Sequence, residues 1–403
     1  MNPGPSTSPS ERAATSPQLL RRINVESVLD FAFGHEVFDA SEVIAATGLT
    51  RSTALGVCAE LVARGWLVEV EDARAAGAYS KGRPARRYRL RGDAAVLAAV
   101  DAGEHHVVAT VTDLSGAVRA RAEARFGAQT PGRRLAVIRR ALDTAVADAG
   151  GRAPIVTVVG IPAPVDGAGA SPDGDGFWRL MNPQLTERLE GYGRVVVEND
   201  ANLAVLAERA RLGAEIESFA VLLSGERFGA GIMVDGHLLR GRHGGAGELR
   251  LLNLVDDVGS ADGLGHLARE WGREAARAGK VKPKTPLAAS PADRLTAEDV
   301  LAAASRNDPV ATRIVARLGD RLAQIAEILV SLLDVERVIV AGAIAAAAGP
   351  IIESAQRSLA ENFYPPLPVV AASELGGDVV VLGAIQRALN EVRTDPFELQ
   401  PVL

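Results

Sequence analysis

The stretch AVDAGEHHVVATVTDLSG, Ala99 to Gly116, reads as a strand, a turn and a second strand. Asp101 closes the first strand, Gly103 follows two residues later, and the second strand runs into a tight turn at Leu114-Ser115-Gly116. In a nucleotide-using enzyme such a turn holds phosphate through open backbone N–H groups. Here Glu104 puts a second negative charge in the turn. Whether it is a working phosphate loop or only the shell of one decides what the larger part of the chain can do.

Working outward, AVLAAVDAG, HHVVATVTD and AVRARAEARF predict a three-stranded meander. A helix in GRRLAVIRRALDTAVADAG and a strand in PIVTVVGIPAPVD follow. RVVVEND is then a strand feeding the helix ANLAVLAERARLG. SFAVLLSG, FGAGIMVDG and HLLRGRHGGAGEL read as strands with glycine turns, and GKVKPKTPLAASPADR as a surface loop. Helices are expected across Ala297 to Leu333, then strand RVIVAGA, helix GPIIESAQRSL, strand LPVVAAS and a helix from Leu382 to Val392. This order fits two mixed α/β lobes with a cleft between them.

The 403 residues are enough for two or three domains. With 47% hydrophobic and 23% charged residues the composition is that of a globular protein. No apolar run reaches the ~18 residues of a membrane helix, and MNPGPSTSPSERAATSP lacks the apolar core of a signal peptide. A cytoplasmic protein without a membrane partner is expected. The single cysteine, Cys58, excludes an intrachain disulfide and a cysteine-rich zinc site. Net charge is −6, so the chain as a whole is no basic nucleic-acid coat. Its basic residues concentrate in YSKGRPARRYRLR, Tyr79 to Arg91, which holds no acid.

That basic run ends a first domain. Residues 1–17, rich in Pro, Ser, Thr and Gly, read as a disordered tail. QLLRRINVESVLDFAFG predicts a helix. DASEVIAATG predicts a second, capped by Asp39 or Ser41 and ended by Gly48. A third starts at the N-cap Thr50 and ends at Gly65. WLVEVED and ARRYRL then form a wing, making residues 18–91 a winged helix-turn-helix. Its third helix would enter the DNA major groove with Arg51, Ser52 and Thr53. The wing would place Lys81, Arg83, Arg86 and Arg87 on phosphates or in the minor groove. Ala54, Leu55, Gly56 and Val57 offer little to base edges, so backbone contacts and DNA shape are expected to share the readout.

From about Gln18 to Val392 the chain resembles the ROK family of repressors, open reading frames and sugar kinases. VENDANLAVLAE (Val197–Glu208) and GAGIMVDGHLLRGRHGGAGE (Gly229–Glu248) carry the resemblance best. GIPAPVDG, RVIVAGA, VVVLGAI, TRST with AELVARGWL, and GRPARRYRL add to it in the family's order. The resemblance implies an α/β fold: an N-terminal winged helix-turn-helix plus a two-lobed actin/hexokinase-like (ribonuclease H-like) ROK domain over residues 95–393.

The family's kinases use an Asp as base toward a sugar hydroxyl, and Asp200 matches that position. A carboxylate there also binds sugar without chemistry. The kinases' first phosphate turn, Asp-x-Gly-Gly-Thr, is here Asp101, Ala102, Gly103, Glu104, His105. Their second, Gly-Thr-Gly, is here Gly225, Glu226, Arg227. Two carboxylates oppose a polyphosphate: at ~4 Å and an effective dielectric of ~20 each charge pair costs about 4 kcal/mol. Arg227 offsets part of that, while the first turn offers no such cation. Their Gly-Gly turn against adenosine is here Ala341, Gly342, Ala343. Leu251 stands where the family's zinc-binding His would follow Glu248, no cysteine follows, and His266 reads as an ordinary helix or surface residue.

These departures predict a sensor without kinase chemistry, cofactor or metal. Asn199, Asp200, Glu248 and, in a weaker register, Asp173 are the expected groups for a sugar or sugar-derivative effector. The resemblance implies a repressor that binds double-stranded operator DNA as a homodimer or higher homo-oligomer. Effector binding would shift lobe closure and so the spacing of paired DNA-binding domains. Two alternatives remain open: an active ATP-dependent sugar kinase with a DNA-binding domain, and a regulator that answers to a protein partner.

Overall fold

A computed structural model describes residues 17–70, 86–126, 130–173, 176–256 and 258–399. The chain divides into two compact units, one of residues 1–95 with 391–403 and one of residues 96–390. The expected tail up to residue 16 and the wing tip over residues 71–85 lie outside the described residues.

In the first unit, α1 (Pro17–Phe33) precedes β1 (Phe38–Asp39), α2 (Ala40–Thr47), α3 (Arg51–Ala63), β2 (Leu67–Val70) and β3 (Arg87–Leu90). The caps are local chemistry. The Asp39 side chain accepts from the Ser41 and Glu42 N–H groups, and Glu42 closes a capping box. Gly48 ends α2 in the left-handed region at φ 68°. The Thr50 hydroxyl accepts from the Thr53 N–H and starts α3. Val28, Leu29, Leu61, Trp66 and Tyr88 are fully buried between the helices and a three-stranded sheet of order β1-β3-β2. Cys58 is buried there too, which pushes its thiol up to about 11.

The residues from 391 onward add a feature that the sequence reading did not anticipate. Asp395 pairs with Arg22 of α1 at 3.1 Å, and Arg64 lies over the Phe397 ring at 4.6 Å. Arg393 lies over the Phe33 ring at 4.8 Å, and Leu399 is buried.

The second unit holds two sheets of one plan. β4 (Val96–Asp101), β5 (His106–Asp113) and β6 (Val118–Arg125) form the expected meander, followed by α4 (Pro131–Asp148). β7 (Val156–Ile161), α5 (Gly176–Met181), α6 (Leu185–Arg188), β8 (Arg194–Asn199) and α7 (Asp200–Leu212) complete the lobe. Its strand order is β6-β5-β4-β7-β8, with antiparallel pairing through the meander and parallel pairing from β4 to β8. Every residue of β4 and β7 is buried, because these central strands are covered on both faces.

The second lobe repeats the plan with β9 (Phe219–Ser224), β10 (Phe228–Val234) and β11 (His237–Leu238). Helices α8 (Leu264–Arg277), α9 (Ala297–Ala304) and α10 (Pro309–Leu333) lead to β12 (Arg337–Ala341). Then come α11 (Gly349–Asn362), β13 (Val369–Ala372) and α12 (Val379–Thr394), in a sheet of order β11-β10-β9-β12-β13. The sequence reading passed over α8, although Leu264, Leu267, Ala268, Gly272 and Ala275 put one buried stripe along it. The loop expected around residues 279–294 is present, with Leu287 buried in a short 3-10 turn. Among the described residues no helix is long and apolar enough to cross a membrane.

Candidate functional site

A cavity of about 580 Å³ in the second unit brings together the residues that the sequence singled out. Asp101 and Gly103 come from the end of β4, Asp200 from the start of α7, and Glu248 from the loop after β11. Glu226 and Arg227 come from the β9–β10 turn, and Gly342 and Ala343 from the end of β12.

The segment Glu198 to Asn202 shows why its residues are of these types. Glu198 is buried and pairs with Arg240 at 2.7 Å. It also accepts from the Asn202 amide at 2.9 Å. Asn199 caps α7 by accepting from the Asn202 N–H at 3.1 Å, and its own amide donates to the Ala163 carbonyl at 3.1 Å. Among these residues it is Asp200 that lines the cavity. Its carboxylate accepts from the Ala201 N–H at 2.8 Å. Burial, and then the nearby carboxylates Asp101 and Glu248, push its pKa up to about 8. Asp200 therefore carries a proton at neutral pH and can donate as well as accept.

Glu248 reaches the cavity through a glycine-dependent approach. Gly247 has φ 84°, and a Cβ there would lie 1.9 Å from the Ala230 carbonyl oxygen. Asp173 stands apart: it lines a second cavity of about 490 Å³ with Asn182, Gln184 and Thr186. The structure thus brings Asp200 and Glu248 together, engages Asn199 in capping, and sets Asp173 elsewhere.

The first turn is covered by a side chain. His106 Nε2 lies 3.0 Å from Asp101 Oδ2. Its ring packs so closely on Gly103 that a Cβ there would be 2.3 Å from Cε1. The hydrogen bond to Asp101 raises the imidazole pKa above its ordinary 6.5. Beneath the turn the buried Arg134 guanidinium donates to the carbonyls of Ala102, Gly103 and Met181, and burial pushes its pKa down to about 10.

The second turn is tied down. Glu226 accepts from Arg269 at 3.0 and 3.1 Å and bonds His266 at 2.6 Å. These partners, Arg269 first, hold its carboxyl down to about 2. The Phe228 N–H donates to the Ala261 carbonyl at 2.7 Å. The buried Arg321 of α10 gathers that loop, donating to the carbonyls of Val258, Ser260 and Asp262.

Two electrostatic expectations are corrected here. Glu226 is not a free charge, because Arg269 pairs with it and His266 hydrogen-bonds it. The first turn does not lack a cation, because the Arg134 guanidinium donates to its Ala102 and Gly103 carbonyls. The His106 ring also stands over Gly103 of this turn. The family's zinc does not fit the residues present: Leu251 offers no ligand atom, and no cysteine follows it. Among the described residues no group of three His, Cys, Asp or Glu side chains is placed to hold a metal ion.

The sequence reading missed His106, Arg134, Arg269 and Arg321 as site residues. Two carried a signal. Arg134 shares the buried face of α4 with Ile138, Ala141 and Leu142, and Arg321 that of α10 with Ile314, Leu318 and Ile325. A charged residue on an apolar stripe marks a buried partner set. His106 and Arg269 carried none that their neighbours in sequence reveal.

In the first unit, Arg51 and Ser52 are exposed on the first turn of α3, and Thr53 is partly buried. Arg86 is exposed and pairs with Glu69 at 2.8 Å; Arg87 is half-buried on β3. Lys81 and Arg83 lie outside the described residues.

A winged helix-turn-helix joined to a two-lobed domain of the actin/hexokinase type is the class that this fold defines. The ROK family profile matches residues 97–391, and the chain belongs to the ROK family. The structure is similar to that of a ROK family transcriptional regulator described as a homologue of the E. coli MLC protein. The TM-score is 0.75 at 19% identity, covering 94% of this chain and 99% of that one. It is also similar to a ROK family glucokinase from Streptomyces griseus in complex with glucose and AMPPNP: TM-score 0.58, 25% identity, covering 73% of this chain and 99% of that one. A ROK hexokinase from Thermus thermophilus gives 0.53 at 26% identity, covering 74% and 99%. Comparison with curated proteins finds no match.

Proposed function

We propose that the chain is a transcriptional regulator, a repressor of carbohydrate-related genes, whose ROK domain senses a sugar or sugar derivative and does not phosphorylate it. The observation that carries this reading is the His106 ring packed over Gly103, which closes the first phosphate turn, in a chain that also has a winged helix with Arg51 and Ser52 exposed at the start of α3. Operator DNA is read by Arg51, Ser52 and Thr53, with Lys81, Arg83, Arg86 and Arg87 on the backbone. The effector is bound by Asp200 and Glu248. Asn199 contributes by fixing the start of α7, while Asp173 lines the second cavity instead. Reading a two-half-site operator requires at least a homodimer, and a genomic DNA target places the protein in the cytoplasm. A mobility shift with promoter DNA tests the reading, and DNA binding without sequence selectivity rejects it.

One observation favours a second reading, an ATP-dependent sugar kinase. Asp200 lies in the cleft with its pKa raised to about 8, near the value suited to a general base. The kinase reading predicts sugar-dependent ADP release that Asp200→Ala abolishes. The sensor reading predicts no release with any sugar.

A further inference from the structure

His106 and Arg125 stand directly opposite each other on β5 and β6, and both line the cleft. Like charges at opposed positions of an antiparallel pair repel and destabilise it. The hydrogen bond to Asp101 raises the His106 imidazole pKa, and the facing Arg125 opposes that rise. Arg125 is exposed, and among the described residues no carboxylate is within ion-pairing distance of it. Arg227, exposed on the β9–β10 turn, lines the same cavity and likewise has no carboxylate partner among the described residues.

Several other charged groups around the cavity have partners of their own. Glu226 is held by Arg269 and His266, and Arg121 by Glu123 and Asp378 at 2.8 Å each. Glu104 lies 3.7 Å from His105. Asp200 is protonated at neutral pH. Asp200 and Glu248 line the same cavity, and a Cβ at Gly229, two residues beyond Arg227, would be 3.7 Å from Asp200 Oδ1.

We propose that the cleft takes a polyol bearing an oxyanion, either a sugar phosphate or a sugar acid, whose anionic group is held by His106, Arg125 and Arg227. The proposal rests on the sensor reading and narrows its ligand class. The donors are side chains, since the His106 ring covers the backbone of the first turn at Gly103. An oxyanion between His106 and Arg125 relieves their repulsion and forms charge-assisted hydrogen bonds with both. The polyol hydroxyls then meet Asp200 and Glu248.

The test is isothermal titration of the full chain in low salt. The probes are glucose, mannose and N-acetylglucosamine, their 6-phosphates, glucuronate, and inorganic phosphate alone. At least one 6-phosphate or glucuronate should bind tenfold or more tighter than its neutral parent and than inorganic phosphate. Arg125→Ala with Arg227→Ala should reduce that advantage below threefold, with an unchanged melting temperature showing an intact fold. A 6-phosphate winner identifies a sugar phosphate, and a glucuronate winner a sugar acid. Neutral sugars that bind as tightly as their anionic derivatives overturn the proposal and leave the sensor reading standing, as does an advantage that survives in the double variant. No binding by any probe overturns both.

Discussion

The imidazole of His106 occupies the space above Gly103, 2.3 Å from where a Cβ on that residue would lie. The same ring lies 3.0 Å from Asp101 through Nε2, so one side chain covers the β4–β5 turn and bonds the carboxylate that opens it.

Gly103→Ala should expel that ring and break the His106–Asp101 bond. The His106 pKa then falls back toward 6.5, read by NMR titration of the ring. The stability cost is small, about 1 kcal/mol, because only a half-exposed side chain must move. His106 is raised in the folded state, so its contribution is full below pH 6.5 and is lost as pH rises through the folded pKa. The difference in melting temperature between wild type and variant should follow that course.

Asp200→Asn should stabilise the protein in a pH-dependent way. The acid's pKa rises from 3.8 to about 8 on folding. Wild-type stability therefore falls as pH rises between those values, and Asn does not titrate. Denaturant melts should show no gain at pH 4 and a gain of about 1–3 kcal/mol at pH 9, below the full linkage value because the side chain is partly solvated.

Arg321→Met should cost about 2–4 kcal/mol in urea denaturation, because three loop carbonyls lose a buried donor. Arg321→Lys should recover little of it, since an ammonium cannot span the same carbonyls as a guanidinium fork.

Two glycines should respond in opposite directions. A Cβ at Gly383 in α12 would lie 1.8 Å from the Leu203 carbonyl of α7, so Gly383→Ala forces two helix backbones apart at a cost of about 3 kcal/mol. A Cβ at Gly56 in α3 meets nothing within 4 Å, so Gly56→Ala should stabilise by about 0.5–1 kcal/mol. Thermal unfolding separates the two signs.

Much of the fold is legible because its signals are local. Of the two candidate caps Asp39 and Ser41 it is Asp39 that caps α2, Gly48 and Thr50 bound their helices as expected, and the meander follows its three predicted strands. The cleft was legible at Asp200 and Glu248, through segments whose order along the chain is specific. What was not legible depends on distant partners. Glu226 reads as a repelling charge until Arg269, 43 residues away, is seen to hold it. Asp395 joins the first unit through Arg22, a pairing across 373 residues that no local pattern encodes.

The central claim is sequence-selective DNA reading by the winged helix. Its most direct test is selection of genomic fragments by the full chain at moderate salt, repeated with Arg51→Ala. The account predicts a narrow set of fragments sharing an inverted repeat with half-sites one helical turn, about 10 base pairs, apart or a multiple of it, and loss of that motif in the variant. Recovery of fragments without a common motif, or the same motif from the variant, would contradict it.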